Sequence, residues 1–292
     1  VDNDRVCGIV VTYHPVAEHL DNIRILRSQV DRVIVIDNAS YVDELEKLRS
    51  IQAELALVLI ENRENMGIAY ALNQGVRWAL ENDYAWINLF DQDSRITEGY
   101  MTAMIEDFKQ ISTGIALGLL VPRYRDPSTG KEDHLRTEGH LGPFVTRTSG
   151  SLLPADVIRQ CGPFSEELFI YCVDDEYSLR LRQHGFEIAR SKKALLQHSS
   201  GAQRVVSGFG RELFTVTNHS AMARYYLNRN RFWLIRRYAR AYPAWCTRLA
   251  LRWVKETAKI AAAEQHKGLK LMRIFQGIRD GLLGRTGKAQ FS

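Results

Sequence analysis

From Val6 to Val121, short apolar runs rich in β-branched residues alternate with stretches of helical spacing. The runs at 6–12, 32–36, 56–60, 84–90 and 115–121 read as strands, and 17–29, 42–52, 67–81 and 97–110 as helices, with Asn65 a candidate cap before the third. Residues 6–12 are almost continuously apolar, as a strand buried on both faces requires. Alternation at this spacing restricts the chain to βαβ units on a parallel sheet. The expected class is therefore α/β: a Rossmann-like, mostly parallel sheet with flanking helices. Ligands of such sheets bind outside the C-terminal ends of the strands, so those ends are where chemistry is sought.

After Pro122 the pattern breaks. Residues 126–130 form a turn or loop, 144–153 is strand-like, 155–160 and 174–184 read as helices, and from about His219 the chain is helical, with breaks at Pro243 and near Gly268. Charge divides the chain in the same place. Residues 204–292 hold 18 Lys/Arg and 4 Asp/Glu, a net +14, whereas residues 1–203 hold 21 and 30, a net −9. We expect an α/β domain over 1–203 and a basic helical region over 204–292, acting as a donor-site lid and a membrane or acceptor contact, since a concentrated positive charge points to an anionic partner. Cys7, Cys161, Cys172 and Cys246 are scattered, which disfavours a disulfide framework or zinc site and fits thiols in a reducing compartment. No apolar stretch reaches the ~18 residues of a spanning helix, and Val6 to Val11 reads as a strand instead of a leader.

The strand at 84–90 runs directly into Asp91-Gln92-Asp93-Ser94. Two carboxylates at a strand end suit a hard divalent cation that bridges to phosphate, although Asp-x-Asp is also a common turn. The first strand ends in Thr12-Tyr13-His14-Pro15, without the glycine fingerprint of a dinucleotide site. The second ends in Asp37-Asn38, which either turns the chain or accepts hydrogen bonds from a base or ribose. Asn65-Met66-Gly67, followed by Asn73, places small and amide residues on the opening turns of a helix, where phosphate is favoured and where a simple cap is the plainer explanation. Asp174-Asp175-Glu176 opens another helix; it either complements the dipole or supplies a general base, with Arg180 near enough in sequence to steer the ionised form. His198, after Ala194-Leu195-Leu196 and before Ser199-Ser200-Gly201, is a structural histidine or, if it faces Asp93, a metal ligand.

Together these motifs resemble the family 2 glycosyltransferases of the GT-A fold, and among them the bacterial dTDP-rhamnosyltransferases. The resemblance runs from Val6 to about Gly287 and rests on Val10-Val11-Thr12-Tyr13, Val35-Ile36-Asp37-Asn38, Asn65-Met66-Gly67-Ile68-Ala69, Asn73-Gln74-Gly75, Asp91-Gln92-Asp93-Ser94-Arg95, Leu168-Phe169-Ile170 through Val173-Asp174-Asp175-Glu176, and Arg224-Tyr225-Tyr226 with Arg229-Asn230. It implies inverting transfer of a sugar, L-rhamnose by this likeness, from a nucleotide-diphosphate donor to a hydroxyl. Asp174 would be the base. Asp93, with His198, would hold Mg²⁺ or Mn²⁺. Thr12, Tyr13, Asp37, Asn38, Asn65, Gly67, Asn73, Asp91, Gln92 and Arg229 would meet the donor, and Ser149, Gly150, Tyr171, Asp175 and Glu176 the acceptor. Tyr171 stands where many members carry Asp, which bears on the acceptor contacts.

The implied acceptors are a glycan, a lipid-linked glycan or a glycolipid of cell-surface polysaccharide (O-antigen) or rhamnolipid synthesis. A UDP-sugar donor is the alternative. A nucleotidylyltransferase would also use acidic ligands but would bring a Gly-rich basic loop after the first strand. A nucleic-acid or membrane binder without activity would explain the basic region but not the ordered acidic motifs. Trp233, Leu234, Tyr238, Tyr242, Trp245, Leu249, Trp253 and Val254 lie among Arg236, Arg237, Arg240, Arg248, Arg252 and Lys255, a mixture suited to an anionic membrane interface. The expected place is the cytoplasm, on the inner face of the cell membrane, without a nucleic-acid partner.

Overall fold

The computed structural model describes residues 4–132, 144–198, 204–208, 211–216 and 219–291. The elements, in chain order, are β1 (Val6–Thr12), α1 (Ala17–Arg27), β2 (Arg32–Asp37), α2 (Val42–Leu55), β3 (Val58–Glu61), α3 (Ile68–Glu81), β4 (Trp86–Asp91), β5 (Arg95–Ile96), α4 (Tyr100–Ser112), β6 (Leu117–Arg125), β7 (Leu152–Pro154), α5 (Ala155–Cys161), α6 (Val173–Gln183), β8 (Glu187–Gln197), β9 (Arg204–Gly208), β10 (Arg211–Val216), α7 (Ala221–Tyr238), α8 (Pro243–Ala263) and α9 (Lys267–Leu282). Ser199-Ser200-Gly201 lies outside the described residues.

Eight strands form one sheet in the order β3-β2-β1-β4-β7-β6-β8-β5. The β3-β2-β1-β4 half is parallel, and β7 runs antiparallel to both β4 and β6. Every residue of β1 is buried, as expected for a strand covered on both faces. The chain winds outward from β1 through β2 to β3, then returns to place β4 on the other side of β1. That reversal opens a crevice at the carboxyl ends of β1 and β4. Helix α3 covers β1 and β2 closely: a Cβ on Gly75 would stand 2.6 Å from Ile9 Cγ2 and 2.9 Å from Ile36 Cδ1.

Strands β5, β9 and β10 were not expected, and two further elements differ from expectation. The strand-like 144–153 stretch enters a strand only at its end, in Leu152–Pro154, because Gly150 turns at φ +77° with its N–H bonded to Leu89 O. The long strand β8 was not expected; Lys192-Lys193 interrupts its apolar pattern.

The chain forms two compact units. One comprises Val1–Glu166 and Val173–Ser199, the other Glu167–Cys172 and Ser200–Ser292. The second unit thus borrows a six-residue segment from the middle of the chain. Its centre is α7, which buries Tyr225, Tyr226, Leu234 and Tyr238 together with Arg224, Asn228, Arg229 and Asn230. Helix α9 approaches α7 so closely that a Cβ on Gly277 would run into the Tyr225 carbonyl oxygen. Inside the unit, Glu264 accepts from Arg224 at 2.5 Å and from Lys270 at 2.8 Å, with all three side chains nearly inaccessible. The Arg/Tyr-rich stretch is therefore in good part core. Leu234, Tyr238, Trp245 and Leu249, expected at the surface, are buried. Among the described residues no helix is long and apolar enough to cross a membrane. All four cysteines are buried and none is in a disulfide.

Candidate active site

The end of β4 turns tightly: Ser94 N–H donates to Asp91 O at 3.1 Å. Asp91-Gln92-Asp93 is thus a turn, and the turn itself is what presents both carboxylates. Two-residue β5 then pairs antiparallel with the end of β8, Arg95 opposite Gln197 and Ile96 opposite Leu196. This pairing brings His198 back beside the turn. His198 Nδ1 lies 3.4 Å from Asp93 Oδ1 and 3.1 Å from Ser94 Oγ, and its backbone N–H donates to Arg125 O at 3.1 Å. Ligand-capable atoms of Asp91, Asp93 and His198 all fall within 4.8 Å of one another.

The electrostatics fit a cation. Burial, reinforced by the charges of Asp93 and Asp174 and opposed by His198, pushes the Asp91 carboxyl up to about 6. Burial likewise raises Asp174, against backbone hydrogen bonds and the Arg147 guanidinium. For Asp93, burial is outweighed by the contact with His198, and the carboxyl is lowered. For His198, burial is outweighed by Asp93, and the imidazole is raised. Two carboxylates and an imidazole in a partly desolvated, electronegative corner are a donor set suited to a borderline-hard divalent ion.

Several residues expected to touch the donor also hold the crevice together. Gln92 accepts from Tyr13 N at 2.8 Å and donates to Tyr13 O at 3.1 Å, tying the ends of β1 and β4. Asp37, buried, accepts from Thr12 Oγ1, Ser40 N and Ser40 Oγ, so its carboxylate builds the turn after β2. Asn38 accepts from Met66 N and Asn62 Nδ2 and donates to Asn65 Oδ1. Asn65 accepts from Gly67 N and does not cap α3; the cap position is Gly67 itself, at φ +87°, with no side-chain bond. Asn73 is buried and fixes Phe164 by bonds to its N–H and C=O. Tyr13 remains exposed at the β1 end.

The acceptor candidates divide in the same way. Ser149 Oγ accepts from Asp91 N at 3.1 Å and lies 2.6 Å from Ser94 Oγ, so it supports the Asp91 turn. Gly150 is packed beneath, its carbonyl accepting from Tyr100 OH and Asn88 Nδ2. Glu176 is fully buried and paired with Arg180 at 2.6 Å; Arg180 also donates to Cys161 O and Pro163 O, so it anchors Glu176 and does not steer Asp174. Asp174 and Asp175 stay partly accessible on the first turn of α6, where their charge also suits the dipole. Arg147, which no motif flagged, is the cation whose field reaches Asp91, Asp174 and His198.

In the other unit, Arg229 is buried and donates to Gly287 O at 2.6 Å and Leu168 O at 3.0 Å, so its guanidinium is engaged with backbone. Asn230 Nδ2 donates to Leu168 O, Ile170 O and Tyr171 O. These bonds restrain a segment in which Phe169, Tyr171 and Cys172 have φ of 62°, 66° and 60°, a conformation that costs an L-residue about 1–2 kcal/mol each.

A mixed sheet carrying an Asp-x-Asp turn at its switch point, with a second acidic cluster opening a later helix, is the arrangement of a nucleotide-sugar transferase. The model of glycosyl transferase family 2 matches residues 9–175, and the chain belongs to that family; it is a glycosyltransferase. It is 29% identical over 307 aligned positions to the dTDP-rhamnosyl transferase RfbF of Shigella flexneri, covering 99% of both chains. Among solved structures it is similar to S. aureus TarS, with a TM-score of 0.57, 13% identity and coverage of 95% of this chain and 43% of that one. It is also similar to GalNAc-T7, solved with UDP, GalNAc and Mn²⁺, with a TM-score of 0.60, 12% identity and coverage of 97% and 56%. The chain thus spans about half of each of these two structures, and at such identities the likeness concerns the fold alone.

Proposed function

We propose that the enzyme transfers L-rhamnose from dTDP-rhamnose, with inversion, to a hydroxyl of a glycan or lipid-linked glycan in cell-surface polysaccharide synthesis. The observation that carries this reading is the convergence of Asp91, Asp93 and His198 at the β4 end, in a chain alignable from end to end with a dTDP-rhamnosyl transferase. Asp93 and His198, with Asp91, would hold Mg²⁺ or Mn²⁺. When bound, such an ion neutralises charge growing on the leaving diphosphate. Asp174 accepts the proton of the attacking hydroxyl, and its raised affinity for protons suits that task. Tyr13 offers an aromatic face at the crevice, while Gln92, Asp37 and Asn38 keep the strand ends in register around it.

The surface of α8 and α9 supports a place of action at a membrane. Leu251, Val254, Met272, Phe275, Leu282 and Leu283 are exposed there, interspersed with Arg248, Arg252 and Lys255. A groove of about 370 Å³ between the two helices is lined by Trp253, Val254, Ile274, Phe275 and Ile278. Apolar side chains among cations suit the interface of an anionic bilayer, so we place the enzyme peripherally on the cytoplasmic face of the membrane.

The test is a panel of nucleotide sugars with mass analysis of products, separating release of dTDP from release of pyrophosphate. Turnover of dTDP-rhamnose with release of dTDP is expected. Preference for a UDP-sugar would overturn the donor assignment and keep the class; release of pyrophosphate would overturn the reaction.

A further inference from the structure

A cavity of about 670 Å³ lies wholly within the C-terminal unit. It is bounded by α7, α9 and the chain after α9, and among the described residues its wall carries Arg273, Arg279, Arg285 and Lys288 against one carboxylate, Asp280. That carboxylate is already claimed: it accepts from Tyr225 OH at 2.9 Å, Arg279 Nε at 3.0 Å and Arg285 at 3.1 Å. The pocket therefore holds an excess of positive charge. The side chains of Arg279 and Arg285 are 61% and 59% exposed, so they keep donors for a ligand.

The wall is built and does not depend on a ligand to form. Gly287 N–H donates to Glu167 O, and its carbonyl accepts from Arg229. Ala289 N–H donates to Tyr226 OH at 2.9 Å. Phe291 packs edge-on to Tyr225 at 4.9 Å between centroids and beneath the Arg273 guanidinium at 4.2 Å. These contacts hold the segment 287–291 against α7 and α9. The volume falls in the range of small-ligand sites, but the lining is cationic, so the ligand is a compact anion. Arg273 and Arg279 are six residues apart on α9, about 9 Å along its axis, so they bring guanidinium groups to the pocket from different turns of the helix. Planar guanidinium forks recognise phosphate oxygens in pairs.

We propose that this pocket, lined only by residues of the C-terminal unit, binds a phosphate-bearing group, whereas the strand-end carboxylates belong to the other unit. The ligand is either a soluble phosphate compound or a phosphate headgroup presented by a membrane lipid.

The experiment titrates the full chain with inorganic pyrophosphate by calorimetry in excess EDTA, so that a site needing a divalent ion stays silent. Wild type is expected to bind. Arg285→Glu with Lys288→Glu, both on the exposed terminal segment, should weaken binding roughly tenfold or more, the scale of losing one charge-assisted contact, whereas Asp93→Asn should leave it unchanged. Thermal melts of all proteins check folding, and Arg279→Gln serves as a milder second variant. Flotation with phosphatidylcholine vesicles with and without phosphatidic acid separates the sources. Pyrophosphate displacing the protein from the anionic vesicles assigns the site to a lipid headgroup; failure to displace it assigns a soluble phosphate compound. Absence of pyrophosphate binding by wild type in EDTA, or its loss in Asp93→Asn but not in Arg285→Glu/Lys288→Glu, overturns the proposal.

Discussion

His198 Nδ1 stands 3.4 Å from Asp93 Oδ1, although about half of the N-terminal unit's sequence lies between the two residues. The short β5–β8 pairing is what joins them. Asp93→Ala is expected to abolish metal-stimulated transfer while leaving the melting temperature nearly unchanged, because the Asp93 side chain is 40% exposed at a strand end. His198→Ala should weaken metal activation without abolishing it. Activity of wild type in excess chelator equal to that with Mn²⁺ would refute the metal role.

Asp174→Asn preserves shape and cannot take a proton. A loss of ~10²-fold or more in kcat is expected, the usual scale for removing a general base, with donor binding little changed by calorimetry. A base must be deprotonated to act, and Asp174 is raised by burial. Activity should therefore fall as pH drops, with an acid limb above the ordinary carboxylate range. An acid limb below about pH 4, the ordinary carboxylate range, or a dead Asp175→Asn beside an active Asp174→Asn, would move the base elsewhere.

Asn230 holds three carbonyls of the segment that leads into α6. Asn230→Ala removes those donors from a backbone with three left-handed non-glycine residues, so that segment should relax. We expect kcat to fall at least tenfold, with the donor KM changed little, and amides of residues 169–172 to exchange faster with solvent. Unchanged exchange would show that the segment is held by other means.

Glu264 is the shared partner of buried Arg224 and Lys270. Glu264→Gln leaves two buried cations short of a counter-charge, a loss of about 3–5 kcal/mol when a buried pair is broken. Urea unfolding followed by Trp fluorescence should show the C-terminal unit melting early. A shift below about 1 kcal/mol would mean that water replaces the lost charge.

Val254→Glu with Phe275→Glu should abolish co-sedimentation with anionic vesicles at any salt, because it places charge on the apolar face of α8 and α9. Arg248→Glu with Arg252→Glu should weaken it most at low salt, where unscreened charge contributes about 1 kcal/mol per Lys or Arg. Equal binding of wild type to neutral vesicles would argue against electrostatic capture.

The βαβ alternation, the strand that ends in Asp91 and Asp93, and the helix that opens with Asp174 were all legible in the chain, because each follows from local periodicity and from residues adjacent in sequence. Sequence alone also set the charge division at about residue 203 and the family motifs. What it left undecided were the partners. Asp37, Asn38, Asn73, Gln92 and Glu176 look like ligand groups in a linear reading, and the fold also engages their polar atoms: Asp37, Asn38 and Gln92 with neighbours at the strand ends, Asn73 with Phe164, and Glu176 with Arg180. Arg229 is engaged in the same way within the C-terminal unit. Arg147 carried no motif, yet its field reaches the acidic cluster. A polar side chain near a site is committed to the frame or left for a ligand according to which unsatisfied backbone groups come within about 3 Å of it, and that is fixed only when distant segments pair. The same holds for α7: its Arg and Tyr residues carry a family motif and a membrane-interface mixture in the sequence, and many of them become core where α9, with glycine at the contact, packs down.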